Sequence, residues 1–174
     1  MIRLLLLYLL LLLFSMPLFA KGVYQSNSDF LQSIFDDSIP KAEVLWLTAP
    51  IKKNVRKILG DSSGQLRIRY WRDQSKSVWI LEEVGKERLI TVGLVVADNK
   101  IRQLKVLAFR ESRGWEVKQD FFTDQFKQIQ LTPELKLNHS IDAISGATLS
   151  VRALKKLARL ALYYHQVVTL KKAH

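Results

Sequence analysis

The nine residues Asp142-Ala143-Ile144-Ser145-Gly146-Ala147-Thr148-Leu149-Ser150 gather the groups of this chain best suited to chemistry. Three hydroxyls and a carboxylate stand among small residues, directly ahead of a long amphipathic segment. If that segment is a helix, its first turn offers N–H groups without intrahelical partners and a partial positive charge, and both favour a phosphate. On local physics alone the same residues also make an ordinary capped helix start, because serine is a common N-cap. A threonine hydroxyl is a poor nucleophile unless a base stands beside it. His139, three residues before Asp142, is the nearest imidazole in sequence, while His165 and His174 are scattered elsewhere. No Ser-His-Asp order, Gly-x-Ser-x-Gly elbow or metal-binding His pair accompanies them. The stretch thus supplies an acceptor hydroxyl in an anion-friendly setting, without the means to activate that hydroxyl.

The elements that must position it follow from periodicity. From about Ala147 to Leu170 a helical period puts Leu149, Ala153, Leu157, Leu160, Ala161, Tyr164 and Val168 on one face. Arg152, Lys155, Lys156, Arg159 and Gln166 fall on the opposite face, which predicts a surface helix packed on a sheet. Earlier in the chain, Ser28 is placed to cap a short helix carrying Phe30, Leu31, Ile34 and Phe35. Glu43 to Leu47 is a short strand. Thr48 opens a second helix with Pro50 in its first turn, a buried stripe of Ile51, Val55, Ile58 and Leu59, and Gly60 as its C-terminal cap. From Gln65 the period becomes two: Leu66, Ile68 and Tyr70 alternate with Arg67, Arg69 and Trp71. Turns at Asp73–Lys76, Gly85 and Asp98-Asn99 separate further strands over Ser77–Glu83, Leu89–Ala97 and Ile101–Arg110. The Leu89–Ala97 strand is apolar enough to be covered on both faces. The expectation is an α+β fold: an antiparallel β-meander of about four to five strands packed against helices, with a long C-terminal amphipathic helix. Gln119 to Gln128 reads as a helix or tight turn whose Phe121, Phe122 and Phe126 pack into the core, and a loop over Leu131–Ile141 leads into the nine-residue stretch.

Length, charge and the N-terminus bound the setting. The 174 residues suit one domain, and no repeat or Pro/Gly-rich linker divides them. The absence of cysteine excludes disulfides, Cys-ligated zinc and iron–sulfur clusters, a thiol nucleophile and a lipoprotein anchor. Met1-Ile2-Arg3 is a short basic lead, Leu4 to Phe14 an unbroken apolar run, and Leu18-Phe19-Ala20 a cleavage-like site before Lys21. Residues 1–20 read as a secretory signal peptide, or alternatively as an uncleaved anchor, and residues 21–174 as a single domain. Either way the body is expected in the periplasm or on the outer face of the cytoplasmic membrane. The net charge is +11. In an exported protein that balance argues for an anionic membrane surface, an acidic partner or an anionic cofactor, or is simply a solvated basic surface, and does not argue for nucleic acid.

Asp142-x-x-Ser145-Gly146-Ala147-Thr148 resembles the flavinylation motif of the FMN-binding domain family, which includes the covalent-FMN subunits of sodium-pumping quinone reductase and of the Rnf complex. The resemblance spans roughly Thr48 to Thr169. It implies FMN joined by a phosphodiester to Thr148, attached by an external flavin transferase that takes FMN from FAD with the help of Mg²⁺. It also implies cofactor-binding roles for Asp142, Ser145, Gly146 and Ala147, with Ser145 able to cap the helix and Ser150 a fallback acceptor. Glu111-Ser112-Arg113-Gly114 falls where the family carries a Glu-Thr-Pro-Gly-like segment beside the flavin. Glu111 and Gly114 match it, whereas Ser112 replaces Thr and Arg113 replaces Pro. Arg152, one helical turn after Thr148, is placed to pair with the phosphate, and Trp115 and Trp79 are candidates to stack on the flavin ring. By resemblance the chain is an electron-transfer module for a membrane-bound or periplasmic redox protein. A flavin-dependent reductase acting on a small acceptor and a cofactor-free accessory module of a membrane complex are the alternatives.

Overall fold

The computed structural model describes residues 22–36, 38–60 and 64–171. The expected signal segment and His174 lie outside them. Helix α1 (Asn27–Phe35) is capped by Ser26, whose Oγ accepts from the Asp29 N–H; Ser28, the expected cap, lies inside the helix and hydrogen-bonds Ser26. Strand β1 (Glu43–Trp46) and helix α2 (Ala49–Leu59) follow, with Pro50 in the first turn of α2 and Gly60 closing it in the left-handed conformation. Strands β2 (Arg67–Arg72), β3 (Ser77–Val84), β4 (Leu89–Ala97) and β5 (Lys100–Phe109) complete one antiparallel meander in the order β1-β2-β3-β4-β5. Asp98 and Asn99 take φ of 51° and 57°, the left-handed pair that a two-residue hairpin loop demands. Two short 3₁₀ turns (Trp115–Lys118, Asp124–Phe126) flank α3 (Asp120–Thr123), and the chain ends in α4 (Thr148–Leu170).

Both faces of the sheet are covered. Alternation in β4 sends Ile90, Val92, Leu94 and Val96 towards α2 and α4, and Val95 towards Phe30, Leu31 and Phe35 of α1. The main core joins these strand residues to Ile51, Val55 and Ile58 of α2 and to Leu154, Leu157, Ala161 and Tyr164 of α4. Each such apolar side chain, fully buried, contributes ~1.5–3 kcal/mol.

Three further expectations change. Helix α4 is not a surface helix with one buried stripe. Leu154, Ala158 and Leu162 are fully buried as well, and the loop before the helix wraps Ile129, Ile141 and Ile144 into the same core. Arg159 holds that wrapping in place: its Nε donates to Leu135 O and its Nη1 to Ile58 O. Leu66 lies outside the β1–β2 ladder, which ends at Trp46↔Arg67, and is exposed. Phe122 and Phe126 are in the core as expected, but Phe121 faces solvent. Among the described residues no helix is long and apolar enough to cross a membrane.

His165 is buried near the C-terminal end of α4, where its Nδ1 lies 2.7 Å from Ser77 Oγ. Trp79 Nε1 donates to that same Oγ, leaving Ser77 its own proton to give to a neutral imidazole. Burial pushes the imidazole below its ordinary value near 6.5, against a smaller upward pull from Asp98. A depressed histidine contributes stability that is present above about pH 6.5 and is lost as pH falls through the folded value. Urea-unfolding free energies between about pH 7.5 and 5.5 should therefore fall for the native chain more steeply than for His165→Gln.

Candidate functional site

The nine-residue stretch is organised by a turn and a helix start. Ala147 N–H donates to Ile144 O at 3.0 Å, closing a turn whose third residue, Gly146, has φ +78°. That is the position at which a type II turn needs a residue tolerant of positive φ. Nothing lies within 4 Å of where a methyl group on Gly146 would stand, so its backbone conformation and not crowding selects glycine. The turn delivers the chain to α4 with Ala147 as the N-cap, and no side chain caps that end. Ser145 is exposed and does not act as the expected cap, because the turn places it two residues ahead of the cap position. A 23-residue helix thus begins with an alanine cap, among the least favourable types. Thr148, its first residue, is exposed.

Away from Gly146, small residues here are needed for close packing. A methyl group on Gly114, whose φ is +81°, would stand 2.8 Å from Ala147 Cβ and 3.7 Å from Ser150 Oγ. One on Gly85 would stand 2.7 Å from Glu111 Oε1 and 3.4 Å from Ser150 Oγ. The segment after β5, the β3–β4 turn and the start of α4 therefore interlock through residues with little or no side chain. Ser150 is buried in that contact, which removes it as an accessible acceptor. Glu111 ties the same pieces together, since its Oε1 accepts the backbone N–H groups of Lys86, Glu87 and Arg88 at 2.5, 2.8 and 3.0 Å. Desolvation works to raise the Glu111 carboxyl, but these three donors outweigh it and hold the group below its ordinary value. Asp142 is exposed, and its backbone N–H donates to Gln125 Oε1.

Thr148 stands on a ridge between two clefts. On one side, a cleft of about 550 Å³ brings it together with Glu111, Gly146 and Ala147, and with the cationic side chains of Lys86 and Arg113. On the other, a cleft of about 680 Å³ has an apolar floor including Ile58, Ile141 and Val151 and a rim of Lys136, Arg152 and Lys155. Both volumes are in the ~300–1,000 Å³ range of small-molecule sites. Arg152 shares the second cleft with Thr148, as does His139, which is exposed and has no hydrogen bond to Thr148 among the described residues. A third, smaller recess places Gly114 and Trp115 with Ser145 and Gly146. Trp115 is therefore beside the stretch. Trp79 is not: it is fully buried, stacked on Tyr70 at 4.7 Å, and bonded through Ser77 to His165, seventeen residues or about 25 Å along α4 from Thr148. Lys86, Lys136 and Lys155 are the rim residues that sequence reasoning missed as site groups. They come from a turn, a loop and the helix flank, and no local spacing links them.

Residues 85–163 match the model of the FMN-binding domain family. No curated protein and no solved structure matches the chain. The matched span begins at the β3–β4 turn and takes in β4, β5, the segment 111–115, the nine-residue stretch and most of α4, which are the parts joined by the interlock.

That interlock is testable. Gly114→Ala should destabilise the fold by about 1–3 kcal/mol, through overpacking and positive-φ strain. Adding Ala147→Gly should recover part of the loss, a coupling readable from thermal or denaturant melts of the two single variants and the double variant.

Proposed function

We propose, because residues 85–163 match the model of the FMN-binding domain family, that the chain is an exported flavoprotein carrying FMN in phosphodiester linkage to Thr148. It passes electrons to a membrane-bound or periplasmic redox protein. One observation carries the choice of residue: Thr148 is exposed at the uncapped start of α4, on the ridge between two clefts, while Ser150 is buried. An anion there meets free N–H groups and the positive end of the helix, typically worth ~0.3–1 kcal/mol at an exposed site. Lys86 and Arg113 on one side and Arg152 on the other supply further positive charge.

Among the described residues no base hydrogen-bonds the Thr148 hydroxyl, and attachment by an external flavin transferase, with FAD as donor and Mg²⁺ as helper, fits that arrangement. Thr148 Oγ1 forms the new ester bond to phosphorus as the phosphoanhydride of FAD breaks and AMP leaves; the hydroxyl proton passes to a base of the transferase. Bound FMN supplies the redox chemistry, accepting electrons in pairs and releasing them singly. The chain's own residues position it. Gly146 sets the turn that exposes Thr148, Ala147 packs the helix start against Gly114, Glu111 fixes the turn carrying Lys86, and Arg152 pairs with the phosphate. Glu111 is committed to three backbone donors and is not free to move protons, which favours an electron carrier over a self-sufficient reductase. The apolar run at residues 4–14 supports export. The resulting location is the periplasm or the outer face of the cytoplasmic membrane, with contact to an anionic membrane surface.

Co-expression with a flavin transferase should give an intact-mass gain matching FMN and a yellow protein. Thr148→Ala should lose both, and Ser150→Ala should keep both. A colourless, unmodified native chain would defeat the reading. Arg152→Ala should lower flavin occupancy at limiting transferase and make the flavin midpoint potential more negative; unchanged values would remove Arg152 from the site.

A further inference from the structure

Four large apolar side chains are exposed where the described chain begins and beside the Trp115 turn: Val23 (40%), Tyr24 (48%), Trp115 (52%) and Phe121 (67%). Their arrangement is fixed by the fold. Val23 bridges Ala108 at the outer edge of β5, Tyr24 N–H donates to Leu107 O, and Phe109 N–H donates to Gly22 O at 2.7 Å. Lys118 Nζ lies 3.8 Å from the Tyr24 ring centroid and 5.8 Å from that of Trp115, so the two rings flank one ammonium. Phe121 follows three residues later in α3.

We infer that this patch seats the domain on the headgroup–acyl boundary of a bilayer containing anionic lipid. Tryptophan and tyrosine are the side chains that such a boundary accepts, with an apolar body and a polar edge. Lysine stems lie along apolar surface while the ammonium stays among headgroups. The decisive argument is where the remaining chain joins. The apolar run Leu4–Phe14 enters through Lys21-Gly22, and Gly22 is tied to the end of β5 within the patch. Where the run is retained as the uncleaved anchor, its seven-residue connection to Gly22 keeps this face near the surface. A second exposed apolar group, Val44, Trp46 and Leu66, lies at the opposite edge of the sheet, on β1 and just before β2, and no such segment leads to it. Glu116 and Asp120 in the same turns oppose an anionic surface, so apolar contact carries most of the binding. Trp115 shares its recess with Ser145 and Gly146, and seating the patch therefore holds the Thr148 ridge close to the membrane plane.

The inference rests on the membrane-face location proposed above, and the two can fail separately. The chain has no cysteine, so Phe121→Cys, Trp115→Cys and the control Leu66→Cys each accept one nitroxide label. Labelled full chains are mixed with vesicles of phosphatidylethanolamine and phosphatidylglycerol. Labels at 115 and 121 should lose accessibility to a water-soluble relaxant by about tenfold, as for side chains ~5–10 Å below the surface, while the label at 66 stays aqueous. If the chain binds the vesicles but labels at 115 and 121 stay as aqueous as the one at 66, the patch is wrong and the location stands. If the chain does not associate with vesicles, the inference and the proposed membrane contact are overturned together, and the periplasmic location stands. Protection at 121 that appears without vesicles and grows with protein concentration would assign the patch to a second copy and also overturn the inference.

Discussion

The contact between Gly114 and Ala147 governs the geometry of everything around it. Two backbones approach until even one additional methyl group would overlap, and Ser150 and Gly85 close the same junction from the helix and the β3–β4 turn. Close packing leaves such a junction few alternative arrangements. Segments distant in sequence are thereby locked: the exit of β5, the turn at Gly85 and the start of α4. Glu111 adds the polar half of the lock by gathering three N–H groups of the 86–88 turn on one carboxylate oxygen. Since that carboxylate is held in its charged form, the lock has its full strength at neutral pH.

The rigidity of this junction matters because α4 is rigid too. Thirteen of its residues are buried, around most of its circumference. A helix gripped by a sheet, by α2 and by the loop at 127–144 cannot slide to relieve a poor start. It keeps an alanine at its N-cap and leaves its first N–H groups without a side-chain partner, at a cost of about 1 kcal/mol relative to a good cap. Tertiary packing, not local capping, determines where this helix begins. The consequence for function is that Thr148 is presented at a fixed position with unspent hydrogen-bonding capacity beside it.

Much of this was legible from the sequence, and the failures have a common cause. The meander followed from period-two alternation and from Asp98-Asn99, whose side chains tolerate the left-handed pair of a tight hairpin. Pro50 and Gly60 marked the limits of α2 because their backbone constraints are local. The nine-residue stretch stood out by residue type alone. What did not show is non-local. Ser145 looks like a cap until the turn at Gly146 shifts the helix start beyond its reach. Glu111 lines the Thr148 cleft, but its grip on the turn more than twenty residues upstream has no local signal. Trp79 looks like a stacking ring until Tyr70 and Ser77 are seen to enclose it. The wide burial of α4 depends on a loop with no periodicity to announce it.

The same distinction separates the two tryptophans by purpose. Trp79 contributes to the core because the Tyr70↔Trp79 pairing stacks its ring, and Ser77 satisfies its one donor. Trp115 has no such enclosure. It follows Gly114, whose positive φ turns the chain sharply out of the interlock and leaves the indole half in solvent. The residue that packs the helix start against the sheet thus also directs an aromatic ring outward, beside Tyr24 and Lys118. One glycine couples the buried junction to the exposed patch, so the Thr148 ridge and the surface flanking it are oriented together as one rigid face.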